Sequence, residues 1–528
     1  MNYIFTNALI FTMDAPGASV YGSLLVTGEK IAMLGTLQDC QAQARSKAEI
    51  IDLGGRVLLP AFTDCHTHFT DYAKKRFSID LAGCVTIDDI IARIEAFRAT
   101  HPVLPDWILG CGWDKNSLNQ PQLLTAGFLD MYFPETPVAL FSKDYHSRWC
   151  NGAALRLAGI NSASADPPDG KIWRGKDSAP TGIVSESASD LISRFITQPS
   201  SDQLKNAVQA SLPMLHSHGL AALNSMENQT DADLLDAFVH AEKALRICRH
   251  FPLAELDSKI AEGQFSYTGD EWFKTGGVKI FADGSLGSQT AATFHDYPGS
   301  KGNRGILRHD EEELFALAAK AGKAGISCVV HAIGDRAVHT VVSALLRQRR
   351  ENGREPLLQR IEHVQAIVPE DIPLLKKSGA YCSLQPVHLA NDVPLIEKYW
   401  RPIRDHAYCF RSLREQNIPF GFGSDAPIES INPFLGIYSA AERKPSLDPH
   451  QPTWLPFQRL TLWDALYAYT LGAAAGSDSQ HLTGSLTPGK LADLIVLENF
   501  TNLPPDYWLS ARSLLTVVGG KIVYRDGI

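Results

Sequence analysis

The chain is 528 residues long, with 45% hydrophobic and 20% charged residues, the balance of a soluble globular protein too long for one ordinary compact core. A formal charge of -9, a pI near 6.0 and the absence of clustered Lys/Arg exclude the attraction that nucleic acid or anionic lipid requires, so neither is an expected partner. Nine cysteines without a CxxC pair signal neither a disulfide framework nor a zinc knuckle, and a reducing, cytoplasmic setting is the expectation.

The opening MNYIFTNALIFTMDAPG lacks a basic stretch followed by an unbroken apolar run, and suits strands better than a leader. No later segment approaches the roughly 18 apolar residues of a membrane span. YIFTNALIFTM, SLLVTGEKIAMLG and VLLP at one end, and ADLIVLE and LLTVVGGKIVYRDG at the other, read as strands whose matching pattern joins both termini in one small β-sandwich domain, residues 1–58 with 480–528. Between them, over 59–479, β-rich apolar runs alternate with helical patterns. The first ends at TDCHTH; seven more follow at 220–226, 245–251, 277–284, 327–335, 359–365, 380–386 and 419–427. Eight parallel strands close a (β/α)8 barrel, so an α/β fold of the TIM type is expected. The interval after the first run, 70–215, is too long for a loop and holds the strand candidates WILGCGWD and PVALFSKDYHS, which predicts an inserted subdomain.

His66 and His68 close the first run, and strand alternation sends residues i and i+2 to the same side, so both imidazoles can reach one metal. His331 and His363 each end a later β-rich run, and Asp425 ends the eighth. All five therefore fall on the rim where barrel active sites assemble. Each has a structural reading when taken singly: an ordinary strand or surface pair for HTH, hydrogen-bonded core histidines for the other two, a turn or helix cap for the aspartate. Lys279, inside a strand that should be buried, points outward or pairs with Asp283 in its structural reading; a buried ammonium is costly unless paired or chemically changed.

These pieces resemble the amidohydrolase superfamily, and more narrowly amidohydrolase family 3, which includes N-substituted formamide deformylases. The resemblance rests on HTH at 66–68, GVKIFADGSLGSQTA at 277–291, HAIGDRA at 331–337, RIEHVQ at 360–365 and GSDAPIESINP at 423–433, with GWDKN, SKDYHSRWCN and PTGIVSES in the insertion. It implies a Lys279 carboxylated by carbon dioxide, whose carbamate bridges two divalent metals. One metal would take His66, His68, Lys279 and Asp425, the other Lys279, His331 and His363. Zinc is the expected occupant by donor type, with manganese, iron and cobalt as alternatives.

A metal-bound hydroxide would then attack a polarised carbonyl, with Asp425 carrying the water's proton to the leaving nitrogen. The expected reaction is hydrolysis of a non-peptide carbon-nitrogen bond in a small amide-type substrate. Trp113, Asp114, His146 and Glu186 are candidate pocket residues, against packing and hydrogen bonding within the insertion; Asp283 is a candidate for orienting a ligand, against a turn cap. Phe62, Phe69 and Phe281 are better explained by barrel packing. GCGWD and DYHSRW suggest a partly aromatic pocket for an arylalkyl amide. Ester or lactone hydrolysis, deamination or isomerisation on the same site, a single-metal version with unmodified Lys279, and a non-catalytic regulatory protein are the alternatives. The last would be marked by a lost ligand, and none is missing. Relatives of this kind often self-associate, so a homo-oligomer is among the expectations.

Overall fold

A computed structural model describes residues 2–528 apart from positions 16, 45–46, 102–104, 198 and 352–356. Eight parallel strands form a nearly closed barrel: β1 (Phe62–Thr67), β2 (Leu220–Met226), β3 (Arg246–Pro252), β4 (Phe273–Phe281), β5 (Cys328–Ala332), β6 (Arg360–His363), β7 (Tyr381–Leu384) and β8 (Phe420–Phe422). Each coincides with one of the apolar runs in the sequence. Closure between β8 and β1 is made just past the end of β8. There the Asp425 N–H donates to the His66 carbonyl at 2.7 Å and the His68 N–H to the Ala426 carbonyl at 2.8 Å. The same joint ties two residues of the metal-ligand pattern to one another through the backbone.

Some of the helices between the strands begin at side-chain caps. Asn228 caps Gln229–Glu242, and Asp310 with Glu313 forms a capping box on Glu311–Lys323. Their apolar faces close over the strands in one continuous core that includes Val278, Val330, Val341 and Phe434.

The chain ends meet in one sheet, ordered Lys521–Arg525, Leu515–Val518, Leu494–Leu497, Val57–Pro60, Asn2–Phe11, Ser19–Thr27 and Lys30–Gly35, with Glu49–Asp52 paired to Asn2–Phe11. The all-apolar runs VLLP and LIVL are explained by burial on both faces. Leu58, Leu494 and Val496 enter a core belonging to this sheet, while Val57, Leu59, Ile495 and Leu497 alternate into the barrel core. Arg246 at the start of β3 is clamped to Asp493 at 2.7 and 3.0 Å, fixing the sheet under the barrel floor.

The excursion after β1 carries a sheet of six strands, Ile79–Asp80, Ile108–Trp113, Val138–Ser142, Ser147–Cys150, Gly170–Arg174 and Pro180–Glu186. Apolar clusters cover both of its faces. The flanking helices Phe69–Lys74 and Ser201–Ser217 pack through Phe69, Leu204, Val208 and Leu215 into the barrel core, so the independent part of the excursion is shorter than 70–215. All nine cysteines are buried and free. Among the described residues no helix is long and apolar enough to cross a membrane.

Candidate active site

The six residues of the ligand pattern converge at the C-terminal rim of the barrel. Asp425 Oδ1 lies 3.2 Å from His66 Nε2 and 3.5 Å from His68 Nε2, so both histidines of HTH do reach one point. Lys279 Nζ stands 3.4 Å from His66 Nε2. The His363 ring centroid is 4.9 Å from that of His66 and 4.5 Å from that of His331. Alternation along β6 would send Glu362 and His363 to opposite sides, yet both meet His66. A left-handed φ of 75° at His363, followed by 45° at Val364, turns the imidazole inward, and Asp425 at φ 59° is bent likewise. Such conformations cost about 1–3 kcal/mol each and persist where the surroundings over-determine them, typically at functional sites.

Burial holds the imidazoles of His331 and His363 well below their usual range, so they present neutral nitrogens. It pushes the Lys279 ammonium down to about 8, against the upward pull of Glu362 and Asp425. Burial alone would raise the Asp425 carboxyl, but its interactions with the imidazoles of His66, His363 and His68 that crowd it favour the ionised form and hold it well below the ordinary carboxylate range. Lys279 makes no ion pair with Asp283 among the described residues. Asp283 instead accepts the backbone N–H groups of Ala292, Ile333 and Gly334 at 2.9, 3.0 and 2.9 Å and lies 3.5 Å from His331 Nε2, bracing the loops after β4 and β5.

Asp425 Oδ1 and His363 Nδ1 are buried yet meet no hydrogen-bond partner, a cost of about 1–3 kcal/mol for each unless something else is bound. Donor atoms of His66, His363 and Asp425 lie within 4.8 Å of one another. Neutral imidazoles, an ionised carboxylate and unsatisfied donor atoms facing each other fit a divalent cation with nitrogen and oxygen ligands.

Several supporting residues were not singled out by the sequence. Glu362 receives His66 Nδ1 at 2.5 Å and the Arg360 Nε at 2.9 Å, and neither Arg360 nor Glu362 is exposed at all. Arg360 also donates to the carbonyls of Cys65 and Gly476 at 2.6 and 2.7 Å. Asp64 accepts the N–H groups of His66 and Ser424 at 3.0 Å each, joining β1 to the approach to Asp425. His388, at the start of the helix Pro386–Tyr399, puts Nε2 3.6 Å from Asp425 Oδ2, buried and without a hydrogen bond.

Above the rim, between barrel loops and insertion, is a cavity of about 390 Å³ whose wall includes all four candidate insertion residues. Two of them have committed their polar groups internally. The Trp113 indole N–H donates to the Leu140 carbonyl at 2.7 Å, and Asp114 caps its own turn through Asn116 and Ser117. The other two form a network: His146 Nδ1 lies 3.0 and 3.1 Å from the oxygens of Glu186, which also receives the Arg308 guanidinium. Burial works to lower the His146 pKa, but Glu186 and Asp144 raise it to about 9. Asp144 itself accepts from Ser285 and Ser288 at 2.8 and 2.7 Å, tying the insertion to the loop after β4. Phe62 and Phe69 are barrel core, whereas Phe281 does line the cavity, 5.1 Å from the His331 ring.

The family model described as amidohydrolase family (Amidohydro_3) matches residues 49–524. The chain belongs to this amidohydrolase family. The Arabidopsis thaliana protein LONG AFTER FAR-RED 3 is 30% identical over 542 residues, covering 99% of this chain and 91% of its own. Putative amidohydrolase YtcJ of Bacillus subtilis (strain 168) is 31% identical over 488 residues, with 91% of each covered. N-substituted formamide deformylase of Arthrobacter pascens is 26% identical over 522 residues, covering 93% of this chain and 92% of its own. Among solved structures, an uncharacterized metal-dependent hydrolase from Pyrococcus horikoshii OT3 superposes with a TM-score of 0.77 at 24% identity, covering 99% of this chain and all of that one. That likeness establishes the fold of this amidohydrolase, and the chemistry is argued from its own residues.

Proposed function

We propose that this amidohydrolase is a metal-dependent enzyme that hydrolyses a carbon-nitrogen bond other than a peptide bond in a small substrate. The observation that carries the reading is the meeting of His66, His68, Lys279, His331, His363 and Asp425 around buried donor atoms that no protein group satisfies. His66, His68, Lys279 and Asp425 would hold one ion, and Lys279, His331 and His363 a second, zinc being the expected metal. Bound there, the ions would supply an acidified water and a Lewis acid for the carbonyl. Asp425 takes the proton of the attacking water and returns it to the leaving nitrogen, converting it to a neutral amine. Glu362 holds the His66 ring by Nδ1, leaving Nε2 for the ion. The insertion supplies part of the cavity wall, through Trp113, Asp114, His146 and Glu186.

Lys279 is suited to carboxylation because only a neutral amine attacks carbon dioxide. Attack forms the N–C bond and releases a proton. With its pKa lowered to about 8, a fraction near one-tenth is already neutral at pH 7, far more than for a lysine at 10.4. Reconstitution of metal-free protein with zinc is therefore expected to be stimulated by bicarbonate. At fixed dissolved carbon dioxide it should accelerate as pH rises through about 8 and level off above it. Bicarbonate-independent reconstitution would argue for an unmodified lysine.

The relative named as an N-substituted formamide deformylase makes N-benzylformamide the first substrate to try, beside a cyclic amide and phenyl acetate. Protein purified without chelator should carry about two divalent ions per chain and hydrolyse an amide in preference to the ester. Well-folded protein without metal would overturn the reading; ester preference would move it to another hydrolysis on the same site.

A further inference from the structure

We propose that His146, contributed by the insertion, is a catalytic residue that donates a hydrogen bond from Nε2 to the substrate's acyl oxygen as that oxygen gains negative charge. This rests on the hydrolase reading above and goes beyond it, since it brings the insertion into the reacting centre.

The geometry has three parts. First, the His146 ring is held at one end only: Nδ1 meets both oxygens of Glu186 at 3.0 and 3.1 Å, while Nε2 has no hydrogen bond among the described residues and the side chain lines the cavity. Glu186 is fixed in turn. Its side chain is 3% exposed, Arg308 holds one oxygen, and its N–H donates to the His146 carbonyl at 2.9 Å. An imidazole anchored by a carboxylate that is itself anchored is a pre-set dipole, the property that makes a donor useful in a transition state.

Second, the ring is beside the reacting centre. Its centroid lies 6.1 Å from that of His331, whose ring is in turn 4.5 Å from that of His363, whereas Asp425 is set against His66, His68 and His388. An acyl group placed over His363 has the proton-carrying carboxylate on one side and the His146 donor on the other. Third, the local charge is of the right sign. Glu186 meets Nδ1 with both oxygens and Asp144 accepts the His146 backbone N–H at 3.2 Å, so two carboxylates stand beside a ring whose Nε2 faces the place where negative charge develops during reaction.

The competing account is a latch in which His146, Glu186 and Arg308 only fasten the insertion to the barrel. Zinc-loaded wild type, His146→Gln, His146→Ala and Glu186→Gln should be titrated with benzylphosphonate, a tetrahedral anion, and with benzamide, a neutral planar control. Loss of an oriented oxyanion donor costs about 100-fold or more. His146→Ala should weaken the phosphonate by about that factor and lower kcat on N-benzylformamide similarly, with KM, benzamide binding and zinc content little changed. His146→Gln, which keeps an N–H donor, should recover roughly tenfold of the loss, and Glu186→Gln should fall between. Unchanged phosphonate binding in His146→Ala, no phosphonate binding by wild type, or loss of zinc with His146→Ala would each overturn the proposal. If wild type hydrolyses no amide but phosphonate binding still depends on His146, the amide reading fails and the donor assignment stands.

Discussion

Asp425→Asn is expected to lower kcat/KM by about three orders of magnitude while leaving the barrel folded. The substitution preserves shape and the backbone N–H that closes β8 onto β1, which donates to the His66 carbonyl at 2.7 Å. It removes the anion that sits 3.2 Å from His66 Nε2 and 3.5 Å from His68 Nε2. A neutral amide oxygen is a poorer ligand, and an amide accepts no proton from water near neutral pH. General-base catalysis alone is worth about 10²–10⁴ in rate, or roughly 3–5 kcal/mol of transition-state stabilisation. Steady-state kinetics with metal analysis and a circular dichroism melt would check it. The ionised form of this carboxyl is favoured in the folded protein, so its contribution to stability is present above the unfolded-state pKa and is lost as pH falls towards the depressed folded value. The variant should consequently melt lower than wild type at pH 7 and converge with it in acid. Activity within tenfold of wild type at full metal content would remove Asp425 from the chemistry.

Which parts of this centre were legible in sequence follows from how far each interaction reaches along the chain. Strands such as β2 and β5 announce themselves because burial on both faces demands a continuous apolar run. A histidine or aspartate closing such a run falls on the catalytic rim by topology alone, which is why His66, His331, His363 and Asp425 could be read. Glu362 sits in the same RIEH segment but its role depends on His66, 296 positions away; the signal was its place beside Arg360 in a strand that had to be buried. Arg308 and Glu186 are 122 positions apart, and nothing local in either segment names the other. His388 looks in sequence like an ordinary helix residue, and only closure of the barrel brings it to Asp425. Trp113 shows the reverse case: an aromatic that suggested a pocket lines one, but spends its only donor on Leu140 in the insertion's own core.

Arg360 and Glu362 offer the second large effect, one that separates stability from function. Both side chains are wholly buried, and Arg360 Nε lies 2.9 Å from a Glu362 oxygen. Removing one member of such a pair strands the other charge in the interior, at a cost of about 3–5 kcal/mol, whereas replacing both by apolar residues of similar volume is often neutral. Arg360→Met should therefore lower the melting temperature markedly, and adding Glu362→Leu should recover only the part owed to the stranded carboxylate, because the carbonyls of Cys65 and Gly476 and the His66 Nδ1 stay without their partners. Function should not recover with it. Glu362 burial opposes its ionisation, yet Arg360 and His66 keep it ionised, and it is the group that fixes the His66 ring. Without that partner, metal affinity should drop by about 10–100-fold in the double variant. Melts in chelator report the first quantity free of the stabilisation that bound metal adds, and zinc titration of the same samples reports the second. A double variant that regains wild-type zinc affinity along with that part of its stability would reduce Glu362 to a structural counter-ion, and His66 would owe its orientation to the strand alone.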